Sequence, residues 1–306
     1  GWWDIESELI PYFFFLPLVV MCSLIFSKKA LGLLGITIIF SLRNWHAPPS
    51  WQLNVLDVGH GLAVVILQGN RALVYDTGSA TRRSSKVEQV VTPLLRYQGI
   101  EHIDYLVISH FDNDHSGGVN ILRNEWSPRE LVSSQNNDAS IPCIKGESWK
   151  WGVLNVDIIW PEKTVSRAYN PHSCVLKVSD KRSEFSVLLT GDIVAMVEWL
   201  LIREPWSINA ELLVVPHHGS KTSSIPQFIE TVDPSIAVTS STIGGRWNLP
   251  DPGVKKRYTD RGVEWIDTGS SGQIVVDVYT DGYKLNTRRA SKGNSWYRHM
   301  LRKQVE

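Results

Sequence analysis

The chain has 306 residues, which is enough for one large domain or for two ordinary ones. Its 31 basic and 31 acidic residues balance, so no overall charge predicts a nucleic-acid or membrane-surface partner. None of its three cysteines lies in a Cys-x-x-Cys pair, which argues against a structural zinc site.

Two uncharged apolar runs, residues 9–26 and 30–42, lie near the N-terminus. The first is just long enough to cross a bilayer as a helix, whereas the second is short. Acidic residues precede the first run, at a place where a secretory signal peptide carries positive charge. We therefore predict that residues 1–43 form one or two transmembrane helices, the last hairpin of a longer protein. A pair of buried helices is the alternative.

Lys28 and Lys29 separate the two apolar runs. Short lysine-rich membrane loops tend to stay cytoplasmic, so we expect an inner- or plasma-membrane protein whose soluble part lies on the extracytoplasmic, periplasmic side. Thiols tend to be oxidised there. Cys143 and Cys174 are therefore expected to form a disulfide or, as the alternative, to be two small buried thiols.

The soluble part begins after residues 44–50, a predicted linker that contains two prolines. Helices are predicted near residues 87–97, 193–202, 225–231 and 254–261, and Gly69-Asn70 predicts a tight hairpin. Strands are predicted from the apolar runs at residues 51–58, 62–68, 71–78, 103–109, 155–160, 174–179, 186–192, 211–216, 236–241 and 273–279. This mixture favours a layered α/β fold in which helices cover the sheets. The basic residues 288–306 are expected to be a C-terminal tail, either solvated or in contact with DNA or lipid.

Polar loops that contain metal-ligand residues follow four of the predicted strands. Their titratable residues are Asp76, His110, Asp112, Asp114, His115, Asp192, His217 and His218. Strand ends can direct side chains from distant parts of a chain toward one point. Imidazole and carboxylate groups together suit zinc, manganese or iron rather than calcium. The sequence therefore predicts one or two divalent transition-metal ions, zinc or manganese, with solvated turns as the alternative.

These motifs resemble the metallo-β-lactamase superfamily, which carries His-x-His-x-Asp-His after a strand, then a Gly-Asp aspartate and a late histidine. Here the first element reads "HFDNDH", so Asp112 stands where the second histidine is usual. Residues 51–279 resemble more fully the C-terminal domain of the ComEC family of DNA-uptake channels, through "LDVGHGLAVVI", "YDTG", "SHFDNDHSGG", "HSCVLKV", "LLTGDI", "VPHHGSKTSS" and "WIDTGSSGQIVV". The resemblance implies a metallo-β-lactamase-like αβ/βα sandwich over residues 51–287, preceded by the transmembrane helical hairpin.

The resemblance also implies how two ions would be held. His110 and Asp112 would bind one ion, Asp114 and His115 the other, and Asp192 would bridge them. Two ions at such a site clamp the attacking and leaving oxygens of a phosphodiester. Asp114 is also expected to orient the attacking water.

The later histidines and the first loop receive further roles. His217 is the expected late ligand, with His218 as the alternative or as a catalytic group that contacts phosphate. The middle histidine of the superfamily has no clean match, and His172 is the nearest substitute as a metal ligand. Asp57, as a catalytic residue, and His60, as a substrate contact, are expected to line the site.

Four further residues are expected to bind the substrate or to support the ligand loop. Ser220, Lys221 and Thr222 are expected to bind phosphate oxygens, or else to form an exposed loop. Asp76 is expected to hold the ligand loop by hydrogen bonds.

The resemblance implies a metal-dependent nuclease domain of a DNA-uptake channel, which degrades the non-imported strand during natural transformation. A DNA-binding domain that guides DNA without cleaving it is one alternative, and a metallo-hydrolase of small esters is another. The implied partners are single-stranded DNA, the membrane through the chain's own helices, a missing N-terminal channel part and other DNA-uptake proteins.

Overall fold

The structure is a computed structural model that describes residues 48–136 and 139–291. The membrane hairpin predicted at residues 1–43 and most of the predicted basic tail lie outside these residues. Among the described helices, none combines the length and the apolar character that crossing a bilayer requires.

Seventeen strands make up three sheets within the described residues. In chain order they are β1 (Trp51–Val55), β2 (Val64–Gln68), β3 (Arg71–Tyr75), β4 (Ala80–Thr81), β5 (Ser84–Ser85), β6 (His102–Ile108), β7 (Glu130–Ser133), β8 (Ile141–Pro142), β9 (Ser148–Trp151), β10 (Leu154–Trp160), β11 (Val175–Asp180), β12 (Phe185–Leu189), β13 (Leu212–Val214), β14 (Ile236–Thr239), β15 (Glu264–Asp267), β16 (Ile274–Tyr279) and β17 (Gly282–Thr287). The first sheet has the order β17-β16-β1-β2-β3-β6-β7-β8, and the second has the order β15-β14-β13-β12-β11-β10-β9. The two short strands β4 and β5 pair with each other.

The helices are short and connect or cover the strands. They are α1 (Thr92–Tyr97), α2 (Asn113–Ser116), α3 (Val119–Trp126), α4 (Ala195–Leu201), α5 (Pro205–Ile208), α6 (Pro226–Val232), α7 (Pro252–Thr259), α8 (Thr268–Ser271) and α9 (Arg288–Ser291). A π-helical turn at Val87–Val91 leads into α1, and 3-10 turns occupy Asn170–His172 and Pro216–Gly219.

Three apolar clusters define the layers of the fold. One lies between the sheets and joins residues such as Leu53, Val187 and Val276, all fully buried. A second packs the outer face of the first sheet against the helices around Leu95. A third packs the second sheet against helices that include Phe228. The order helix, sheet, sheet, helix is the αβ/βα sandwich that the family resemblance implies, and this part of the prediction is confirmed.

The predicted hairpin and the continuous strands are also confirmed. Gln68 pairs with Arg71 across the turn that contains Gly69-Asn70, which makes β2 and β3 antiparallel neighbours. The apolar strands β12, β13 and β14 run parallel, as is usual for strands that are buried on both faces. Among the longer elements, the sequence did not predict α3, β7, β9, β15 or β17, because their apolar residues are few or irregularly spaced.

A disulfide joins Cys143 and Cys174, whose α-carbons are 5.9 Å apart. Both residues are fully buried in the cluster between the sheets. Cys143 follows β8 of the first sheet and Cys174 precedes β11 of the second, so the bond crosslinks the two sheets. Of the two alternatives for these cysteines, the structure has the disulfide.

Candidate metal centre

The polar loops meet at one edge of the sandwich. His110 follows β6 of the first sheet, and Asp114 and His115 lie on the short helix α2 directly after it. Asp192 follows β12 of the second sheet, and His218 lies in the 3-10 turn after β13. The buried apolar strands fix the positions of their ends, so residues far apart in the sequence come within a few ångströms of one another.

Three buried side chains form what we call the inner group: His110, His115 and Asp192. Their ligand atoms all lie within 4.8 Å of one another. His115 Nε2 is 3.2 Å from Asp192 Oδ1, and the rings of His110 and His115 are 4.2 Å apart between centroids.

Three further side chains form the outer group: His60, Asp114 and His218. Their ligand atoms also lie within 4.8 Å of one another, and this group is closer to solvent. His218 connects the two groups, because its Nε2 is 3.2 Å from His115 Nε2 and 3.5 Å from Asp192 Oδ1.

The inner group fits a metal ion. Two ligand atoms on one tetrahedral zinc ion are ~3.3 Å apart, given metal–ligand bonds of about 2.0–2.1 Å. The 3.2 Å separation of His115 Nε2 and Asp192 Oδ1 matches this value. In addition, the buried His110 Nε2 and Asp192 Oδ1 make no hydrogen bond within the described residues. Buried polar atoms are seldom left unsatisfied, so an ion is a fitting partner for both.

Hydrogen bonds orient two of the histidines. His115 donates its Nδ1–H to Asp76 Oδ2 at 2.8 Å, and Asp76 also accepts hydrogen bonds from the backbone N–H and the hydroxyl of Ser109, each at 2.7 Å. His218 donates its Nδ1–H to the Ser240 carbonyl at 3.1 Å. In both rings Nε2 is left to face the centre, which is the arrangement that supporting carboxylates and carbonyls give to ligating histidines.

His217 and His218 have an unusual backbone. Their φ angles are 53° and 54°, so two consecutive non-glycine residues are left-handed. Each such residue costs of order 1–3 kcal/mol and persists where the surroundings impose it. This left-handed backbone places the His218 ring beside Asp114 and Asp192, whereas the His217 ring lies at the more exposed margin of the site.

The electrostatics keep His110, Asp192 and Asp114 in their ligating forms. Burial lowers the pKa of His110 to about 4, so its imidazole is neutral at neutral pH. Burial alone would raise the pKa of Asp192, but the nearby His115 and His218 outweigh it and hold that pKa well below the usual range. Burial likewise opposes ionisation of Asp114, yet His218 and His115 lower its pKa as well. Both carboxylates are therefore ionised and can accept a cation.

Asp192 and Asp76 together act on His115. Burial alone would lower the pKa of this imidazole, but the two carboxylates on either side raise it well above its ordinary value. A positive charge is therefore favoured between them, and a divalent ion at Nε2 would supply such a charge. The pKa of His60 is lowered, first by burial and then by the neighbouring His218.

Two predicted ligands lie at the margin of the groups. Asp112 Oδ2 is 3.6 Å from His110 Nε2, and the carboxylate is 42% exposed. His217 Nε2 is 3.8 Å from Asp192 Oδ2 and only 3.3 Å from Asn170 Nδ2. Of the two late histidines, His218 is the one that belongs to a ligand group.

Two other predicted site residues make contacts away from the two ligand groups. His172 accepts a hydrogen bond at Nδ1 from the Tyr169 backbone and belongs to neither group. Asp57 pairs with Arg289, whose Nη2 is 2.5 Å from the carboxylate and whose Nη1 donates to the carbonyls of Thr268 and Gly269. The first residues of the predicted basic tail thus pack on the domain.

Side chains in the loop after the late histidines also make contacts within the protein. Thr222 Oγ1 is 2.9 Å from His217 Nδ1 and 3.0 Å from Ser220 Oγ. Lys221 is exposed, and its Nζ is 3.4 Å from Asp251 Oδ2. The two hydroxyls thus lie beside His217, whereas the Lys221 ammonium group faces Asp251.

Two arginine–aromatic pairs near the centre were not predicted. Trp247 is 58% exposed, its ring lies 6.4 Å from that of His60, and the Arg246 guanidinium is 4.9 Å from the Trp247 ring centroid. Tyr169 is 45% exposed, lies next to Asn170, and has Arg167 at 4.8 Å from its ring. Both lie in loops without a recognisable motif, so only the fold brings them to the centre.

Comparison with known proteins gives a family match and several relatives. Residues 56–242 match the family model described as the metallo-beta-lactamase superfamily. The chain is 36% identical over 264 residues to the uncharacterized protein YcaI of Escherichia coli K12, an alignment that covers 86% of the chain and 35% of that protein.

Two further relatives carry descriptive names. Recombination protein 2 of Haemophilus influenzae is 33% identical over 278 residues, which cover 90% of the chain and 34% of that protein. Competence protein ComA of Neisseria gonorrhoeae is 28% identical over 243 residues, which cover 78% of the chain and 34% of that protein. The chain thus spans about a third of the length of the curated relatives that it matches.

Proposed function

The chain belongs to the metallo-β-lactamase superfamily as a ComEC-like member, and we propose that it is the metal-dependent nuclease domain of a DNA-uptake channel. Its reaction is hydrolysis of phosphodiester bonds, and its physiological substrate is the DNA strand that is not imported. The observation that carries this proposal is the pair of connected ligand groups at the strand ends of both sheets.

The chemistry follows from the donor atoms. His110, His115 and Asp192 hold the first ion in this proposal. Divalent ions, when bound, neutralise phosphate charge and lower the pKa of water. Asp114 is ionised and partly open to solvent, so it accepts a hydrogen bond from the attacking water and orients it. The hydroxyl of Thr222 and the ammonium group of Lys221 bind phosphate oxygens at the margin.

The exposed rim favours a nucleic acid over a small ester. Bases of single-stranded DNA stack on exposed aromatic rings, and arginine adds cation–π attraction to such platforms. Trp247 adjoins the His60 end of the centre, and Tyr169 adjoins the His217 end. In this proposal bases on either side of the cleaved phosphate stack on the two rings, which requires an unpaired strand.

The proposed location and partners follow from the sequence and the relatives. Two relatives are named for recombination and competence, and we transfer DNA uptake from them to this chain as a proposal. In this proposal the chain is anchored in the membrane through residues 1–43, and it works with an N-terminal channel part and other DNA-uptake proteins. The Cys143–Cys174 disulfide supports an extracytoplasmic position, because such bonds persist in oxidising compartments.

A second candidate function is guidance of DNA without cleavage. It is favoured by one observation, namely that His172 does not supply the middle histidine of the superfamily pattern. The two candidates differ in catalysis alone, so a cleavage assay separates them.

The test compares three substrates on the full 306-residue chain, purified in detergent and loaded with zinc or manganese. They are a labelled single-stranded oligonucleotide, bis(p-nitrophenyl) phosphate and p-nitrophenyl acetate. We expect hydrolysis of the first two, and loss of both activities in Asp114→Ala and in Asp192→Ala. The matched control is Asp260→Ala, which removes an exposed carboxylate on the surface after α7. Binding of the oligonucleotide without cleavage would favour guidance, and hydrolysis of the acetate alone would favour the small-ester alternative.

A further inference from the structure

His60 lies in the tight loop between β1 and β2, and its imidazole reaches the metal centre. Its Nε2 is 3.2 Å from Asp114 Oδ2, and the same carboxylate oxygen is 3.7 Å from His218 Nε2. The rings of His60 and His218 are 5.0 Å apart between centroids. Donor atoms from three separate segments of the chain therefore converge on one point beside the inner group.

The backbone fixes this approach. Gly61 has a φ of +117°, and a Cβ at that position would lie 2.2 Å from the Asp114 carbonyl oxygen. The Leu62 backbone N–H donates to that same carbonyl at 3.1 Å. Ser240 donates its hydroxyl to the Gly61 carbonyl at 2.6 Å, and its own carbonyl accepts from His218. The loop that carries His60 is thus fastened to the loops of both other members of the outer group.

The distances suit coordination of a common ion. Separations of 3.2 and 3.7 Å bracket the ~3.3 Å expected between two ligand atoms on one tetrahedral ion. His218 Nδ1 is already occupied by Ser240, so its Nε2 faces the convergence point. Two imidazoles and one carboxylate with an open side toward solvent form a ligand set typical of catalytic zinc or manganese sites.

We propose that His60 is a metal ligand which, with Asp114 and His218, completes a second ion site beside the inner group. This inference rests on the metal centre of the proposed function. It gives His60 a different task from the substrate contact that the sequence predicts. It also gives the chain a second three-residue ion site without the middle histidine, because a residue from the first loop supplies the missing imidazole.

The first experiment counts metal. The full chain in detergent is stripped with a chelator, titrated with Mn²⁺ and followed by calorimetry, and its bound metal is measured by elemental analysis. We expect two ions per wild-type chain. His60→Ala should keep one ion and bind the second at least tenfold more weakly. The matched control, His102→Ala, removes an exposed histidine at the start of β6 and should bind two ions like the wild type.

The second experiment asks whether residue 60 touches the ion. His60→Cys replaces the imidazole with a thiol, and a thiolate bound to Co²⁺ gives a charge-transfer band in the near ultraviolet. We expect this band in His60→Cys after subtraction of the wild-type spectrum, in which Cys22 is equally present. Cys143 and Cys174 are disulfide-bonded and contribute no thiolate.

The outcomes separate this inference from the proposed function. Two ions of unchanged affinity in His60→Ala, one ion in the wild type, or binding of two Co²⁺ ions by His60→Cys without the band would each overturn the ligand role. Neither experiment uses DNA cleavage. A chain that binds two ions in the His60-dependent manner but leaves DNA intact would therefore retain the second site and lose the proposed nuclease activity.

Discussion

At the scale of single residues, the proposed function assigns the stacking of DNA bases to Trp247 and Tyr169. Stacking of one base on an aromatic ring contributes about 1–3 kcal/mol, which corresponds to roughly 5- to 160-fold in affinity. We therefore predict that Trp247→Ala raises the KM for single-stranded DNA by a factor in that range. Hydrolysis of bis(p-nitrophenyl) phosphate should be unchanged, because that substrate is too small to reach the rim.

The control for this prediction is Tyr97→Ala, which removes a ring that is 77% exposed at the end of α1. Steady-state kinetics with the oligonucleotide and the small diester give both KM values. If Trp247→Ala and the wild type had equal KM values for single-stranded DNA, the proposed stacking of a base on Trp247 would be contradicted.

At the scale of elements, one buried carboxylate fastens the loop that follows the late histidines. Glu198 on α4 is fully buried, and it accepts the backbone N–H groups of Ser224 at 2.6 Å and Ile225 at 2.8 Å. Arg257 on α7 donates to the carbonyls of Ser223 and Ser224. The loop after the 3-10 turn is thus held between two helices.

The titration of Glu198 predicts a pH dependence of stability. Burial raises its pKa from 4.5 to about 7, although the hydrogen bonds from Ile225 and Ser224 oppose this shift. The folded state therefore binds the proton more tightly than the unfolded state does. The resulting stabilisation is complete below about pH 4.5 and is lost as the pH rises through 7. Between pH 5 and 8 the loss should be of order 2–3 kcal/mol.

Glu198→Gln isolates this contribution. The amide cannot accept both backbone N–H groups, so the variant should be less stable by an amount that does not depend on its own titration. The difference in free energy of unfolding between wild type and variant should therefore shrink as the pH rises from 5 to 8. Urea unfolding of both proteins at each pH measures it. Parallel curves would show that Glu198 is ionised throughout this range.

The disulfide joins the two sheets and is expected to stabilise the fold. Its cysteines are 31 residues apart, and closing a loop of that length in the unfolded chain contributes about 4 kcal/mol on an entropic estimate. Replacing both Cys143 and Cys174 with alanine should lower the free energy of unfolding by about that amount. Reducing agent should destabilise the wild type and leave the double variant unchanged. A loss below about 1 kcal/mol would contradict the prediction.

The strands that carry the site could be predicted from the sequence, whereas several contacts could not. The apolar runs before His110, Asp192 and His218 are long enough to identify as buried strands, and buried parallel strands end near one another. By contrast, the contact of His60 with Asp114 depends on the left-handed glycine beside it and on the meeting of separate loops. Arg289 and Asp57, which form an ion pair, are more than 200 residues apart in the sequence, and no local sequence pattern predicts their contact.

At the scale of the whole molecule, the metal centre lies where the two sheets of the sandwich meet. The first sheet supplies His110 and the second supplies Asp192, so neither sheet alone holds the inner group. An ion that binds this site stabilises the folded state over the unfolded state. The two-sheet architecture is thus the reason that metal binding, stability and catalysis are coupled in the proposed function.

The proposed function requires that this chain hydrolyses DNA with a metal ion held by the inner group, where the two sheets meet. The most direct measurement titrates the metal-free chain with Mn²⁺ while following bound metal and cleavage of a labelled single-stranded oligonucleotide in the same samples. The proposal predicts no cleavage without metal and cleavage that rises in step with bound metal. It also predicts that Asp192→Ala loses the ion of the inner group and loses cleavage. Equal cleavage by the metal-free chain, or by Asp192→Ala, would contradict it.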